Sequence, residues 1–297
     1  MLSDHSDSGS AVASSSRRPQ TPLSEEGDDE FFGLNDLLPE PESPLPAPYS
    51  FSTYEVPEEV VIQLNEEQKS GRQLILRLVG SHPLWGHHLW NTARVFSTYL
   101  LRNPDLTKKR KVLELGAGAA LPSIVCTLAG AKKVVITDYP DTDLVENMRF
   151  NVDINVSGDL RGNVDVVGHL WGRDVKHLMA RTDGEGYDVL ILSDLVFNHS
   201  QHDALINTVN STLSSSQDAC ALVFFTSHRP HLVDADNAFF PRLAASGGGK
   251  GWVYQRVAEE WAGAMFEDDP GDEVVRGTVH GWKAWRAKEG EEAGEKI

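Results

Sequence analysis

Cysteine is almost absent. Cys126 and Cys220 are the only two in 297 residues, and both sit in apolar runs. A disulfide framework is excluded as the source of stability, and the pair reads as buried thiols of a reducing compartment. No uninterrupted apolar stretch approaches the ~20 residues that span a bilayer. The N-terminus lacks a basic-plus-apolar leader, and its acids disfavour a mitochondrial transit peptide, so a cytoplasmic protein with no membrane partner is expected. Positive charge is scarce: 27 Lys and Arg face 44 Asp and Glu, for a net charge of -17. General nucleic-acid binders carry a basic surface, so no nucleic-acid partner is expected.

What is present suffices for a sizeable core, with 40% hydrophobic and 24% charged residues. The chain is organised around Lys111-Val112-Leu113-Glu114-Leu115-Gly116-Ala117-Gly118-Ala119-Ala120-Leu121. The apolar start suits a central parallel strand. Gly116 and Gly118 let backbone approach a ligand where a Cβ would block it. The following residues are helix-compatible, and a helix N-terminus offers free N–H groups. Leu121 stands where the dinucleotide fingerprint has its third glycine. A carboxylate at Glu114 accepts hydrogen bonds and repels phosphate, which favours a ligand with donors or positive charge, such as S-adenosylmethionine.

Residues 1–48 are rich in Ser, Pro, Asp and Glu and read as a disordered acidic tail. Phe31, Phe32, Leu34, Leu37 and Leu38 form one apolar cluster in it. This cluster either packs weakly on the domain or serves as a partner-binding or site-covering segment. Residues 60–64 and 73–79 predict an N-terminal β-hairpin around a turn containing Gly71. Leu89, Ala93, Phe96 and Leu100 share one face of a helix over 88–101, which Asn103-Pro104 ends. Strands are predicted at 132–138, 164–172, 187–194, 220–225, 252–257 and 274–285, with helices at 143–152 and 202–213. Residues 267–272 form an acidic turn, and 289–297 a frayed polar end. Alternating strands and helices predict an α/β fold: a Rossmann-like, doubly wound, mostly parallel seven-stranded sheet with an antiparallel C-terminal strand. The domain is placed at residues 49–288.

Asp138 closes the strand after the glycine turn, twenty residues beyond Gly118. A strand-end acid at this spacing meets a ribose in nucleoside-binding α/β sheets. With Leu89-Trp90-Asn91, Thr137-Asp138-Tyr139-Pro140, Trp171-Gly172 and Ser193-Asp194-Leu195-Val196-Phe197-Asn198-His199, the chain resembles the class I seven-β-strand S-adenosylmethionine-dependent protein methyltransferases. Thr226-Ser227-His228-Arg229-Pro230-His231 and Phe266-Glu267-Asp268-Asp269-Pro270-Gly271-Asp272 bring it closer to the fungal protein N-terminal and lysine methyltransferases that act on translation elongation factor 1-alpha. An older label for these is nicotinamide N-methyltransferase. The resemblance covers roughly residues 31–286.

The resemblance implies a cofactor, S-adenosyl-L-methionine, and assigns residues to it. Gly116, Ala117 and Gly118 would cradle its amino-acid part, and Asp138 would take the ribose hydroxyls. Trp90 and Trp171 would flank it, and Ser193 would line it. Asp194 and Asn198 would orient the acceptor amine. The family's Asp-x-x-Tyr becomes Asp194-x-x-Phe197 here, so no tyrosine hydroxyl is available. His228 or His231 could act as a base. His199-x-x-His202 and His228-x-x-His231 lack cysteine partners, and no metal site is expected.

An α-amine titrates near ~7.8 and a lysine near ~10.4, so an N-terminal amine is the easier nucleophile. The function implied is methylation of the N-terminal α-amine and an adjacent lysine of elongation factor 1-alpha by a monomer. The alternatives are a small-molecule amine (nicotinamide) methyltransferase and a non-catalytic cofactor-binding scaffold.

Overall fold

The residues 111–115 that begin the glycine motif form the centre of the molecule. The computed structural model describes residues 48–60, 73–80, 86–249, 251–266 and 268–296. The predicted tail up to residue 47, with its apolar cluster, lies outside these, as do 61–64 of the predicted first strand and 81–85.

Strand β1 (Ser50–Glu55) pairs antiparallel with β2 (Gln73–Leu78). The hairpin is therefore real: the strand paired with Gln73–Leu78 is Ser50–Glu55, while 61–64 of the predicted partner lie outside the described residues. Tyr54, Leu74, Leu76 and Leu78 point inward, and this alternation fixes the register. Helix α1 (Asn91–Arg102) follows. Then come β3 (Lys111–Leu115), α2 (Leu121–Leu128), β4 (Lys133–Asp138) and α3 (Thr142–Asn155). The chain continues through β5 (Val164–Gly168), the short α4 (Lys176–Met179), β6 (Val189–Ser193), α5 (His202–Thr212) and β7 (Cys220–Thr226). It ends with α6 (Val233–Asn237), α7 (Phe239–Ala244), β8 (Trp252–Trp261), α8 (Glu273–Gly277), β9 (Thr278–Arg286) and β10 (Gly294–Glu295).

The main sheet runs β10-β8-β9-β7-β6-β3-β4-β5. Strands β5, β4, β3, β6 and β7 are parallel, and β9 joins β7 antiparallel. The predicted seven-stranded, mostly parallel sheet is thus present, with a two-residue eighth strand. That strand pairs Gly294 and Glu295 with Val253 and Tyr254, so part of the end expected to fray is anchored. The last long strand starts at Thr278, not at 274. The Asp272 carboxylate accepts from the Val274 and Val275 N–H groups and caps a helical turn there instead.

Both faces of the sheet are covered. Val112, Ile136, Ile191 and Phe224 pack with Phe96, Ile124, Met148 and the hairpin leucines on one side. Leu113, Leu190, Leu192 and Phe225 pack with Leu205, Val209, Phe239 and Leu243 on the other. Burial on two faces explains why the central strands read as continuous apolar runs. Cys126 and Cys220 are buried free thiols within these layers.

One edge of β2 is satisfied by side chains. Asn151 Oδ1 accepts from Arg77 N–H at 2.7 Å and Asn155 Oδ1 from Ile75 N–H at 3.1 Å. The Nδ2 groups of Asn147, Asn151 and Asn155 donate back to the Arg77 and Ile75 carbonyls. Asparagines one helical turn apart on α3 therefore replace a missing neighbour strand. Among the described residues no helix is long and apolar enough to cross a membrane.

Candidate active site

The strand order reverses between β3 and β6, the switch point at which open α/β sheets bind ligands beyond their carboxyl ends. The candidate residues fall along that edge.

After β3, Gly116 (φ 62°) and Gly118 (φ 53°) both adopt the left-handed conformation, and so does Ala120 (φ 63°) before α2. The turn is held from β4: Asp138 Oδ2 accepts from Gly118 N–H at 2.7 Å, and Thr137 carbonyl from Ala117 N–H at 3.0 Å. The other Asp138 oxygen accepts from Tyr139 N–H at 2.7 Å. Asp138 thus ties the glycine turn to its own strand end and lies, half-buried, beside it. Trp171, on the loop after β5, reaches Gly116: a Cβ there would lie 3.1 Å from Trp171 Cζ2 and 2.6 Å from Leu195 Cδ2. A Cβ on Gly118 would meet nothing within 4 Å, so the turn faces open space at that residue. Ser193 ends β6, with its Oγ buried and without a hydrogen-bond partner. Gly116, Ala117, Gly118, Asp138, Trp171 and Ser193 are therefore brought to one edge.

Glu114 is placed differently from the sequence reading. It is fully buried, and its Oε2 accepts from Ser123 N–H at 3.0 Å in the first turn of α2. It braces the helix N-terminus from beneath instead of facing a ligand. Burial pushes its carboxyl up to about 8, opposed by the Ser123 hydrogen bonding and assisted by the Asp138 charge.

Trp90 meets a different set of side chains from Trp171. Its ring packs at 4.9 Å from His228, 5.5 Å from His88 and 6.0 Å from Phe266. His228 in turn meets Asp194, Nε2 to Oδ2 at 2.9 Å. Asp194 follows β6 with φ 59°, a left-handed conformation uncommon for a residue with a side chain. Its Oδ1 accepts from Thr226 N–H at 3.2 Å. Phe266 is carried on the segment between β8 and α8. Buried Arg276 donates to its carbonyl at 2.7 Å, and Asn91 donates to the Ala262 and Gly263 carbonyls. Asn198 turns into its own loop, accepting from Ser200 Oγ at 3.1 Å.

Beside these lies a second polar chain. Asp236, buried on α6, meets His199 Nε2 at 2.7 Å and accepts from Ser227 Oγ at 2.8 Å. His202 Nε2 is taken by the Val196 carbonyl at 2.7 Å. Among the described residues no three His, Cys, Asp or Glu side chains converge as a metal site.

Sequence reasoning missed Asp236 and His169, and it noted Phe266 only as part of the 266–272 motif, without a role. His169 is buried after β5, its Nε2 without a partner, and burial with the neighbouring His177 pulls it down to about 4. No local pattern marks Asp236 or His169, whose contacts are tertiary.

A glycine turn clamped by a strand-end acid, at the switch point of a doubly wound sheet, defines a Rossmann-type enzyme built for a nucleoside-bearing cofactor. The chain belongs to the lysine methyltransferase family, whose model matches residues 69–246. It is 59% identical over 288 residues to the "Protein N-terminal and lysine N-methyltransferase EFM7" of Cryptococcus neoformans var. neoformans serotype D, covering 92% of this chain and 94% of the relative. The protein of the same name from Schizosaccharomyces pombe is 45% identical over 214 residues, 71% of this chain and 82% of that one. The one from Emericella nidulans is 39% identical over 260 residues, 85% and 95% respectively. This is an S-adenosylmethionine-dependent methyltransferase.

Proposed function

We propose that this enzyme methylates the N-terminal α-amine and an adjacent lysine of translation elongation factor 1-alpha. The observation that carries the reading is the 59% identity, along 92% of the chain, to a relative named for N-terminal and lysine methylation. The resemblance of residues 226–231 and 266–272 to the elongation-factor enzymes supplies the acceptor.

S-adenosylmethionine, when bound, supplies a methyl group on a positively charged sulfur. In this reading Gly116, Ala117 and Gly118 hold its amino-acid end through backbone groups, and Asp138 takes the ribose hydroxyls. Trp171 covers the turn beside Gly116, and Ser193 offers its unpartnered Oγ. Trp90 stands where donor and acceptor sides meet, packed on His228. Asp194 and Asn198 shape the acceptor side. The protein's task is to align a neutral amine in line with the methyl and to keep water out. A terminal α-amine near ~7.8 is partly neutral at physiological pH, whereas a lysine near ~10.4 needs a proton acceptor or desolvation. The acidic chain suits a cationic peptide as acceptor.

Labelled-methyl transfer to purified elongation factor 1-alpha tests the reading. Intact factor should accept label, and blocking its N-terminus should remove the α-amine share and leave the lysine share. No transfer to the intact factor overturns it.

A further inference from the structure

Both Asp194 oxygens are engaged within the protein: Oδ1 takes the Thr226 N–H and Oδ2 meets His228 Nε2. The Asp194 side chain is 7% exposed and that of His228 is 20% exposed, so the histidine is the outer member of the pair. An ionised carboxylate only accepts, so Nε2 carries the hydrogen and Nδ1 keeps the lone pair. Asp194 also stands at φ 59°, a conformation held by the sheet through its N–H to the Phe224 carbonyl at 2.7 Å. Backbone strain of this kind persists where the surroundings over-determine a functional geometry.

We propose that Asp194 and His228 form a dyad in which His228 Nδ1 is the catalytic base for the acceptor amine and Asp194 is its positioning residue. This rests on the methyltransferase reading above and deepens its acceptor side.

The groups facing His228 come from four elements. Asp194 lies after β6, Asp236 on α6, and Asp269 on the segment before α8. Trp90 packs on the ring, with His88 behind it at 5.5 Å from Trp90. Burial pulls the histidine down, but the charge and hydrogen bond of Asp194, with Asp236 and Asp269, outweigh it and leave His228 above its ordinary value. The shift makes His228 a stronger base than an ordinary imidazole, which suits a proton acceptor for an amine. Asp236 cannot substitute for Asp194, since its own oxygens hold His199 and Ser227.

The step balances as follows. The ammonium proton of the acceptor passes to Nδ1. The freed nitrogen lone pair forms the new N–C bond while the S–C bond of the donor breaks and leaves its electron pair on sulfur. The imidazolium returns its proton to water, so each turnover releases one proton.

The test uses the full chain with H228Q, H228N and D194N. Three quantities are read: the pH profile of kcat on purified elongation factor 1-alpha, the S-adenosylmethionine Kd by calorimetry, and the His228 titration midpoint by NMR. H228Q and H228N should lower kcat roughly a hundredfold or more with the donor Kd within about twofold, and each should lose the acid limb of the profile. D194N should move both the acid limb and the His228 midpoint to lower pH. Wild-type kcat and acid limb in folded H228Q or H228N overturn the dyad. So does an unchanged His228 midpoint in D194N, or a loss confined to donor Kd. Wild-type protein inert on the factor defeats the acceptor reading instead, and the NMR comparison still decides whether Asp194 governs His228.

Discussion

Gly116 and Leu195 close on one another so tightly that a Cβ on the glycine would lie 2.6 Å from Leu195 Cδ2. Two residues on, a Cβ on Gly118 meets nothing within 4 Å. The two glycines of one motif therefore exist for different reasons. Gly116→Ala combines left-handed strain with overpacking and should destabilise the fold by about 2–4 kcal/mol. Gly118→Ala carries the strain alone, about 1 kcal/mol, yet should weaken S-adenosylmethionine binding at least tenfold. Thermal unfolding and calorimetry on the two variants separate these effects. Equal stability losses, or unchanged donor affinity in Gly118→Ala, would contradict the assignment.

Asp138 joins β4 to the glycine turn through Gly118 and Tyr139 N–H groups. Asp138→Ala should lose about 1–3 kcal/mol of stability, in the range for hydrogen bonds to a charged group. Donor affinity should fall more than stability does. Asp138→Asn keeps one acceptor oxygen and should be intermediate in both measurements.

Glu114 makes stability depend on pH. Its carboxyl titrates at about 8 when folded, against 4.5 for the free group. Between those values the native state holds a proton that the unfolded chain has released. The contribution of this group is therefore greatest below pH 4.5 and is lost as pH rises to about 8, a change on the order of 5 kcal/mol. Glu114→Gln stays neutral and can still accept from Ser123 N–H. Chemical denaturation at pH 6 and pH 9 should show a smaller decline in the variant than in the wild type.

Arg276 is buried and donates to the Phe266 carbonyl, and through it the segment after β8 is held against Trp90 and His88. Arg276→Met should release that segment. KM for the protein acceptor should rise several-fold while the S-adenosylmethionine Kd stays unchanged, and limited proteolysis within 262–272 should accelerate. A change in donor Kd alone would show that the segment serves the cofactor instead.

The proposed donor side was legible in the sequence because it is local. Lys111 to Asp138 is one strand–turn–helix–strand unit, and the apolar runs, glycines and closing acid lie at fixed spacing within it. The proposed acceptor side was legible only in fragments. His228 stood out as one of two candidate bases, but nothing in the pattern showed that Asp194 would reach it across thirty-four residues. The asparagines of α3 read as ordinary polar helix positions, and their role as a substitute strand edge depends on where β2 lands. Glu114 was misplaced for a related reason. Spacing puts a carboxylate at a strand end but does not say which face of the sheet its oxygens choose, and here α2's unpaired N–H groups claimed it. The helical turn at Glu273–Gly277 was hidden because Val274 and Val275 mimic a strand, while the cap that overrides them is the single Asp272.

Asn91 bonds to Ala262 and Gly263 across 171 and 172 residues of chain. During synthesis, which runs from the N-terminus, the donor-side turn can close on Asp138 long before those carbonyls exist. A ribosome-bound chain stalled just past β7 would carry a formed glycine turn but lack the segment that Asn91 and Arg276 hold beside Trp90. The contacts around Trp90 are thus completed only after β8 has been made.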